Sequence, residues 1–135
     1  MLRDIGEFEY EFIVFHLDKM GKEDLNVIDV YKEDKRVGWA QSYLEHRNGC
    51  VVVEDLFVMP NYRNKGIGRQ LVNLIEKAAR GSSAKEIVYY VHIQDLLSEN
   101  NISIIESLFR DENGYKINRY KKAFKGCAYK IAKRI

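Results

Sequence analysis

The chain has 135 residues, a length that predicts a single domain spanning residues 1–135, and its net charge is only +2. Its 46% hydrophobic content and single proline indicate an ordered globular protein, and no apolar run reaches the ~18 residues of a membrane span. Two cysteines and three histidines exclude a disulfide framework and a Cys/His zinc site, and the first residues do not resemble a signal peptide. We therefore expect a cytoplasmic protein with no metal and no membrane partner.

The first sixty residues predict a meander of about four strands. Acidic and aromatic residues alternate within residues 7–17, and this period of two residues is typical of a half-buried strand. Further β-branched and apolar segments predict strands at residues 27–32, 36–45 and 50–59. An Asn-Gly pair just before the last of these is a strong hairpin signal.

The second half predicts helices that alternate with strands. Apolar residues recur at helical spacing over residues 67–78, a strand follows at 86–93, and Ser98 begins a second helix. Two short strands at about 115–122 and 127–132 complete the pattern. Because a strand, a helix and a strand in succession normally form a right-handed crossover, we expect parallel strands there. The predicted fold is α/β (α+β), with a mixed, mostly antiparallel sheet, a central parallel pair and about two main helices.

Charge is unevenly distributed along the chain. Residues 1–60 contain 13 acidic and 7 basic side chains, whereas residues 113–135 contain eight basic side chains and no acidic one. A basic tail of this kind is either a solvated surface or a site for an anionic partner. Nucleic acid is not expected as that partner, because the sequence has no recognised nucleic-acid-binding motif.

One stretch after the fourth strand has the residues of an anion site. Arg63 to Arg69 form a basic, glycine-bearing loop between a buried strand and the start of a helix. The first N–H groups of a helix have no acceptor within the helix, and the helix dipole adds partial positive charge there. This stretch is therefore predicted to be a phosphate-binding turn.

Two common phosphate-binding motifs do not fit this loop. The sequence has no Walker A string, and a dinucleotide fingerprint would have Leu71 in place of its third glycine. A third pattern, R/Q-x-x-G-x-G/A after a strand that ends in L-x-V, fits Arg63 to Gly68 after Leu56 to Val58.

On these residues the sequence resembles the GNAT superfamily of acyl-CoA-dependent N-acetyltransferases, over about residues 25–115. The resemblance implies that acetyl-CoA is the cosubstrate. Its pyrophosphate would lie in the loop, its pantetheine would bind the strand end, and the two parallel strands would splay apart around it. An asparagine at the start of the next helix (Asn101, or Asn100 in another register) would also contact it. The implied cofactor-binding residues are Phe57, Val58, Met59, Arg63, Asn64, Lys65, Gly66, Ile67, Gly68, Arg69 and Asn101.

The sequence departs from the family in two places. Members usually have two helices between the first two strands, but only about nine residues separate those strands here, so the helix pair is expected to be missing. Members also often have a tyrosine in the helix after the asparagine, where it protonates the leaving thiolate. Leu108 or Phe109 occupies that position here, and neither can donate a proton. Tyr115 matches a family core position, and Tyr120 is a remote substitute.

Two residues are candidates for the catalytic base. Glu54 interrupts a nearly apolar strand, where a carboxylate is costly unless it is used or paired. Strict alternation would place Glu54 on one face with Val52 and Leu56, and Asp55 on the other face. His92, at the end of the next strand, has a suitable intrinsic pKa.

The function that best fits these residues is an N-acetyltransferase. An acetyl group would move from acetyl-CoA to a primary amine, which could be a protein N-terminus, a lysine or a small molecule. The alternative is a non-catalytic acyl-CoA-binding or regulatory domain, suggested by the missing acid and helix pair. A homodimer is an open alternative for the state of the chain.

Overall fold

The computed structural model describes residues 2–5, 10–19, 22–92, 114–124 and 127–135. Its strands are β1 (Leu2–Ile5), β2 (Tyr10–Lys19), β3 (Lys22–Lys32), β4 (Lys35–Glu45), β5 (Cys50–Val58), β6 (Glu86–His92), β7 (Lys116–Phe124) and β8 (Cys127–Arg134). A 3-10 turn (Pro60–Tyr62) and an α-helix, α1 (Ile67–Arg80), lie between β5 and β6. Within these ranges no helix is long and apolar enough to cross a membrane.

The strands form one mixed sheet in the order β1-β2-β3-β4-β5-β6-β8-β7. Every neighbouring pair is antiparallel except β5 and β6, which run parallel and are connected through α1. The predicted mostly antiparallel sheet with a central parallel pair is therefore confirmed. The second helix predicted from Ser98 lies outside the described residues.

The hairpin of β2 and β3 replaces the helix pair of the family pattern. Lys19 pairs with Lys22, so two residues connect the strands, and two residues cannot form a helix. The expectation that the helix pair is missing is confirmed. β3 begins five residues earlier than predicted. Its first residues are polar and show no strand pattern of their own, and they form a strand because they pair with β2. β1, which pairs with β2, was not predicted because four residues are too few to show a period.

Helix α1 covers one face of the sheet with an apolar stripe. Its buried residues are Ile67, Leu71, Val72, Ile75 and Ala79. They pack against inward-facing residues of β3, β4, β5 and β6, among them Val30, Ala40, Val53 and Ile87. Gly81 is the C-cap residue of the helix, and basic residues in its last turn interact favourably with the helix dipole.

The parallel strands pair over only part of their length. Residues 50–53 of β5 pair with residues 86–89 of β6. Beyond this point β5 continues beside β4, and β6 continues beside β8. We call the gap bounded by residues 54–58 and 90–92 the fork. The fork is the splay that the family resemblance implied for this pair of strands.

Candidate functional site

A β-bulge lies where the fork begins. Ser42 of β4 pairs with Val53, but the neighbouring Gln41 pairs with Asp55, which leaves Glu54 as an extra residue in β5. A bulge bends its strand and increases the local twist. Because the pairing with β6 also ends at Val53, the bend starts where the two parallel strands separate.

The bulge brings two exposed carboxylates to one face of the sheet. Gln41 Nε2 donates to Glu54 Oε2 at 3.0 Å, and Trp39 Nε1 donates to Asp55 Oδ2 at 2.9 Å. Trp39 and Gln41 are two residues apart on β4 and therefore share the face opposite α1. The expectation that Glu54 and Asp55 point to opposite faces is wrong, because the extra residue interrupts the alternation.

Because of the same bulge, Val52 and Leu56 lie on opposite faces of the sheet. Val52 packs with Cys50 and Val88 on one face, whereas Leu56 packs against the cluster under α1. The expectation that Glu54 shares a face with both residues is therefore also wrong. Burial raises the pKa of the Cys50 thiol, and nearby acidic residues raise it further, so Cys50 stays protonated and is a poor nucleophile.

The backbone of Val58 points into the fork. The Met59 N–H donates to the Val37 carbonyl of β4 at 2.8 Å. The Phe57 carbonyl also faces β4, since a Cβ added to Gly38 would lie 3.1 Å from it. Backbone groups alternate in direction along a strand, so the N–H and C=O of Val58 point away from β4. Of the three strand-end residues named from the family pattern, Val58 is the one that presents its N–H to the fork.

The loop after β5 exposes the backbone at the start of α1. Gly66 is the N-cap residue and has φ = 87°, a left-handed conformation that glycine adopts without strain. No side chain caps this end of the helix, and its first internal bond runs from the Gln70 N–H to the Gly66 carbonyl at 3.0 Å. The N–H groups of Ile67, Gly68 and Arg69 are thus the ones that an anion could bind.

Three basic residues of the loop lie in different surroundings. Lys65 and Arg69 are exposed beside the start of α1. Arg63 is half-buried, and its Nε donates to the Val58 carbonyl at 2.9 Å. Asn64 adopts φ = 62°, which asparagine tolerates better than most residues.

Stacked aromatic and basic side chains border the carboxylates. Trp39 packs on Phe57 with ring centroids 4.8 Å apart. The Arg36 guanidinium lies 4.2 Å from the centre of the Trp39 ring and forms a salt bridge of 2.7 Å with Asp29. The face opposite α1 therefore combines flat apolar rings with exposed acidic groups, a surface suited to an organic cation.

The remaining predicted site residues are His92 and Asn101. His92 ends β6 on the far side of the fork, where its backbone pairs with Cys127. Asn101 and the position of the missing acid, Leu108 or Phe109, lie outside the described residues. Across the ranges that the structure covers, no group of three His, Cys, Asp or Glu side chains could hold a metal ion.

Tyr115 belongs to the core and not to the fork. It is buried, and its hydroxyl donates to Glu76 Oε1 at 2.7 Å, while Lys133 Nζ lies 3.2 Å from the same oxygen. Burial raises the pKa of Tyr115, and the neighbouring Tyr89 and Glu76 add to this effect. This supports the family-based interpretation of Tyr115 as a core residue.

Sequence reasoning did not select Trp39, Gln41 or Asp55. The only signal for them was the acidic Glu-Asp pair inside an apolar strand, and the sequence could not show that both carboxylates contact β4. Their convergence depends on the bulge, which is a property of two strands and not of one.

The sequence model of the acetyltransferase (GNAT) family matches residues 3–108. The chain belongs to this family. A search of curated proteins returned no significant match. The GNAT assignment agrees with the fork, the glycine-bearing loop and the position of α1.

Solved structures support the GNAT fold at low sequence identity. The PaiA N-acetyltransferase of Thermoplasma acidophilum, in complex with coenzyme A, is 19% identical (TM-score 0.62) over 83% of this chain and 62% of that one. A putative acyl-CoA N-acyltransferase from Klebsiella pneumoniae is 15% identical (TM-score 0.61), covering 82% and 72%. An aminoglycoside 6′-N-acetyltransferase in complex with coenzyme A is 17% identical (TM-score 0.58), covering 82% and 72%. The chain spans less than two thirds of the length of the Thermoplasma protein.

Proposed function

We propose that this protein is an N-acetyltransferase that moves an acetyl group from acetyl-CoA to a primary amine. The observation that carries the proposal is the position of the fork directly beside the uncapped, basic start of α1. An anion bound at the helix start and an extended chain in the fork would together match a pyrophosphate with a flexible arm. The complexes of the Thermoplasma and aminoglycoside enzymes with coenzyme A support the same ligand.

In this proposal the loop and strand end hold the cosubstrate. The amides of Ile67, Gly68 and Arg69, with the Lys65 ammonium, bind the pyrophosphate. Val58 offers its N–H to the carbonyl that is attacked. The roles inferred for Phe57, Met59, Asn64, Gly66 and Asn101 stay predictions.

The chemical step needs a neutral amine and a stabilised oxyanion. The amine nitrogen attacks the thioester carbonyl, the C–N bond forms, and the C–S bond breaks to release coenzyme A. Glu54 is proposed to take the amine proton, directly or through water, and the Val58 N–H to stabilise the oxyanion. His92 is the alternative base. The thiol of the product has a pKa of about 8.5 as a simple thiol, so the thiolate leaves with little help from an acid.

The acceptor is proposed to be a cationic amine. Glu54 and Asp55 are exposed on the sheet face opposite α1, where Trp39 contacts both Asp55 and the Arg36 guanidinium. A small amine, a lysine or a protein N-terminus would each fit this chemistry.

A cytoplasmic location, a single domain and a homodimer likewise stay predictions.

A non-catalytic acyl-CoA-binding domain is the second candidate. Its support is the missing acid, because neither Leu108 nor Phe109 can donate a proton and the Tyr115 hydroxyl is bonded to Glu76 in the core. Transfer of radiolabelled acetyl groups to a panel of amines and lysine peptides separates the two. Coenzyme A binding without transfer to any acceptor would favour the binding domain.

The cosubstrate assignment is tested at Gly68. In Gly68→Val, the added side chain stands among the exposed amides of the first helical turn, and we expect coenzyme A binding to be lost while the fold is kept. Calorimetry measures the affinity, and circular dichroism monitors the fold. Gly81→Val, at the other end of α1, is the matched control. Unchanged affinity in Gly68→Val would show that coenzyme A does not bind at this helix start.

A further inference from the structure

Arg63 is bonded to the end of β5, whereas its basic neighbours face solvent. Its Nε donates to the Val58 carbonyl at 2.9 Å, and its guanidinium carbon lies 5.4 Å from the centre of the Phe57 ring. Lys65 and Arg69 are exposed beside the helix start. A guanidinium is planar, so one face can stack on a ring while its edge donates hydrogen bonds. Arg63 is therefore oriented by the strand, independently of any phosphate.

The bond to Val58 changes the charge around the fork. The N–H and C=O of Val58 point in the same direction along the strand edge. A bare carbonyl beside the Val58 N–H would repel a developing oxyanion. The guanidinium donates a hydrogen bond to this carbonyl and places a positive charge next to the N–H. It also fixes the peptide that follows Val58, whose own N–H is held by Val37.

We propose that Arg63 is a positioning residue for acyl transfer and not a phosphate ligand. It holds the strand end and offsets the Val58 carbonyl, so that the Val58 N–H can stabilise the oxyanion. This inference rests on the proposed function, because it assigns Arg63 a part in the same reaction. It divides the three basic residues of the loop into one that acts on the rate and two that act on cosubstrate affinity.

The first experiment compares Arg63→Met with Lys65→Met, with Lys77→Met at the far end of α1 as the control. Calorimetry measures the affinity for coenzyme A, and single-turnover transfer measures the rate. Loss of one oxyanion donor lowers rates by ~10²–10³-fold, and we expect about tenfold to hundredfold for the indirect role of Arg63. The affinity of Arg63→Met for coenzyme A should stay within about threefold, less than 1 kcal/mol. Lys65→Met should lose more affinity than rate, and Lys77→Met should match the wild type.

Two further variants separate positioning from general loss of structure. Arg63→Gln keeps an N–H donor that can reach the Val58 carbonyl, and it should recover part of the rate. Arg63→Lys keeps the charge but not the planar group, and it should recover less. Equal rates for Met and Gln at this position would overturn the positioning role. A loss of affinity in Arg63→Met that equals the loss in Lys65→Met, with an unchanged rate, would make Arg63 a phosphate ligand.

The second experiment does not depend on catalysis. The amide proton resonance of Val58 reports on its surroundings in the protein without ligand. It should shift in Arg63→Met and stay in place in Lys65→Met. An unchanged Val58 resonance in Arg63→Met would overturn the proposal. If the wild type transfers no acetyl group to any acceptor, the proposed function fails, and this measurement still decides whether Arg63 sets the Val58 backbone.

Discussion

Glu54 has an unusual position because one extra residue in β5 moves it out of the regular ladder. A bulged residue has no partner directly opposite in β4, and its side chain reaches Gln41 from there. Asp55, one residue on, reaches Trp39 on the same face. Under the proposed function, the candidates for the base are therefore Glu54, the neighbouring Asp55 and His92.

We expect Glu54→Gln to lower kcat by the ~10²–10⁴-fold that is typical of a lost general base. The substituted amide can still accept from Gln41, so the fold should be kept. The loss should become smaller as the pH rises, because the acceptor amine then loses its proton without help. A pH profile of kcat for Glu54→Gln and for Asp55→Asn tests this. If Asp55→Asn shows the larger loss, Asp55 is the base.

Tyr115 should make the stability of the protein sensitive to alkaline pH. Its pKa is raised in the folded protein, chiefly by burial, above the value near 10 of an exposed tyrosine. The contribution of Tyr115 to the free energy of unfolding is then fully present below about pH 10 and is lost above it, because the unfolded chain releases the proton first. In Tyr115→Phe this contribution disappears together with the bond to Glu76. The difference in unfolding free energy from the wild type should therefore narrow between pH 9 and 11 (roughly the range set by that pKa). Urea denaturation measures it, and a constant difference would contradict it.

Helix α1 is the element that the sequence described best. Its apolar stripe and its glycine-bearing start are local features, and local features can be read from a single segment. The Asn48-Gly49 pair likewise marked the turn between β4 and β5, where Gly49 has φ = 63°. The prediction of a phosphate-binding turn at residues 63–69 rests on the same kind of local pattern, and it stays a prediction.

The bulge, β1 and the early start of β3 could not be read in this way. Each depends on a neighbouring strand: β1 on β2, the start of β3 on β2, and the bulge on β4. The direction of the Val58 backbone and the contacts of Arg63 depend in turn on that pairing. The sequence therefore indicated where in the chain the candidate site lies, but not how its backbone and side-chain groups are oriented.

The stripe of α1 predicts a large effect of core truncation. Leu71 is fully buried between the helix and the sheet. Leu71→Ala should lower the free energy of unfolding by about 2–5 kcal/mol, because it removes buried methyl groups and leaves a cavity. Urea denaturation measures this, with the exposed Asn73→Ala on the same helix as the control. A loss below about 1 kcal/mol would show that α1 is not packed as described.

At the scale of the whole molecule, charge is separated along the sheet. The acidic half of the chain forms β1 to β5, and the basic tail forms β7 and β8. β7 is three strand positions from β5, or about 14 Å at ~4.8 Å per strand. This is longer than the Debye length of ~8 Å at physiological ionic strength. The basic residues of β7 are therefore expected to act on something other than the cosubstrate.

Neutralising Lys121 and Lys122 together should change coenzyme A affinity by no more than about twofold, less than ~0.5 kcal/mol. Calorimetry at physiological salt measures this affinity. Self-association or partner binding that depends on salt should become weaker in the same variant, which sedimentation can follow. A tenfold loss of coenzyme A affinity would show that the basic tail reaches the cosubstrate.

The fork also has a consequence for the motions of the folded chain. Between Glu54 and Val58, no strand in the described part of the chain covers the edge of β5 that faces β6. The amide hydrogens of Leu56 and Val58, which point to this edge, should exchange with solvent much faster than those of Val51 and Val53. A ligand that occupies the fork should slow them selectively. The centre of this sheet would then be locally unprotected until a ligand binds, whereas the strands on both sides of it would stay protected in either state.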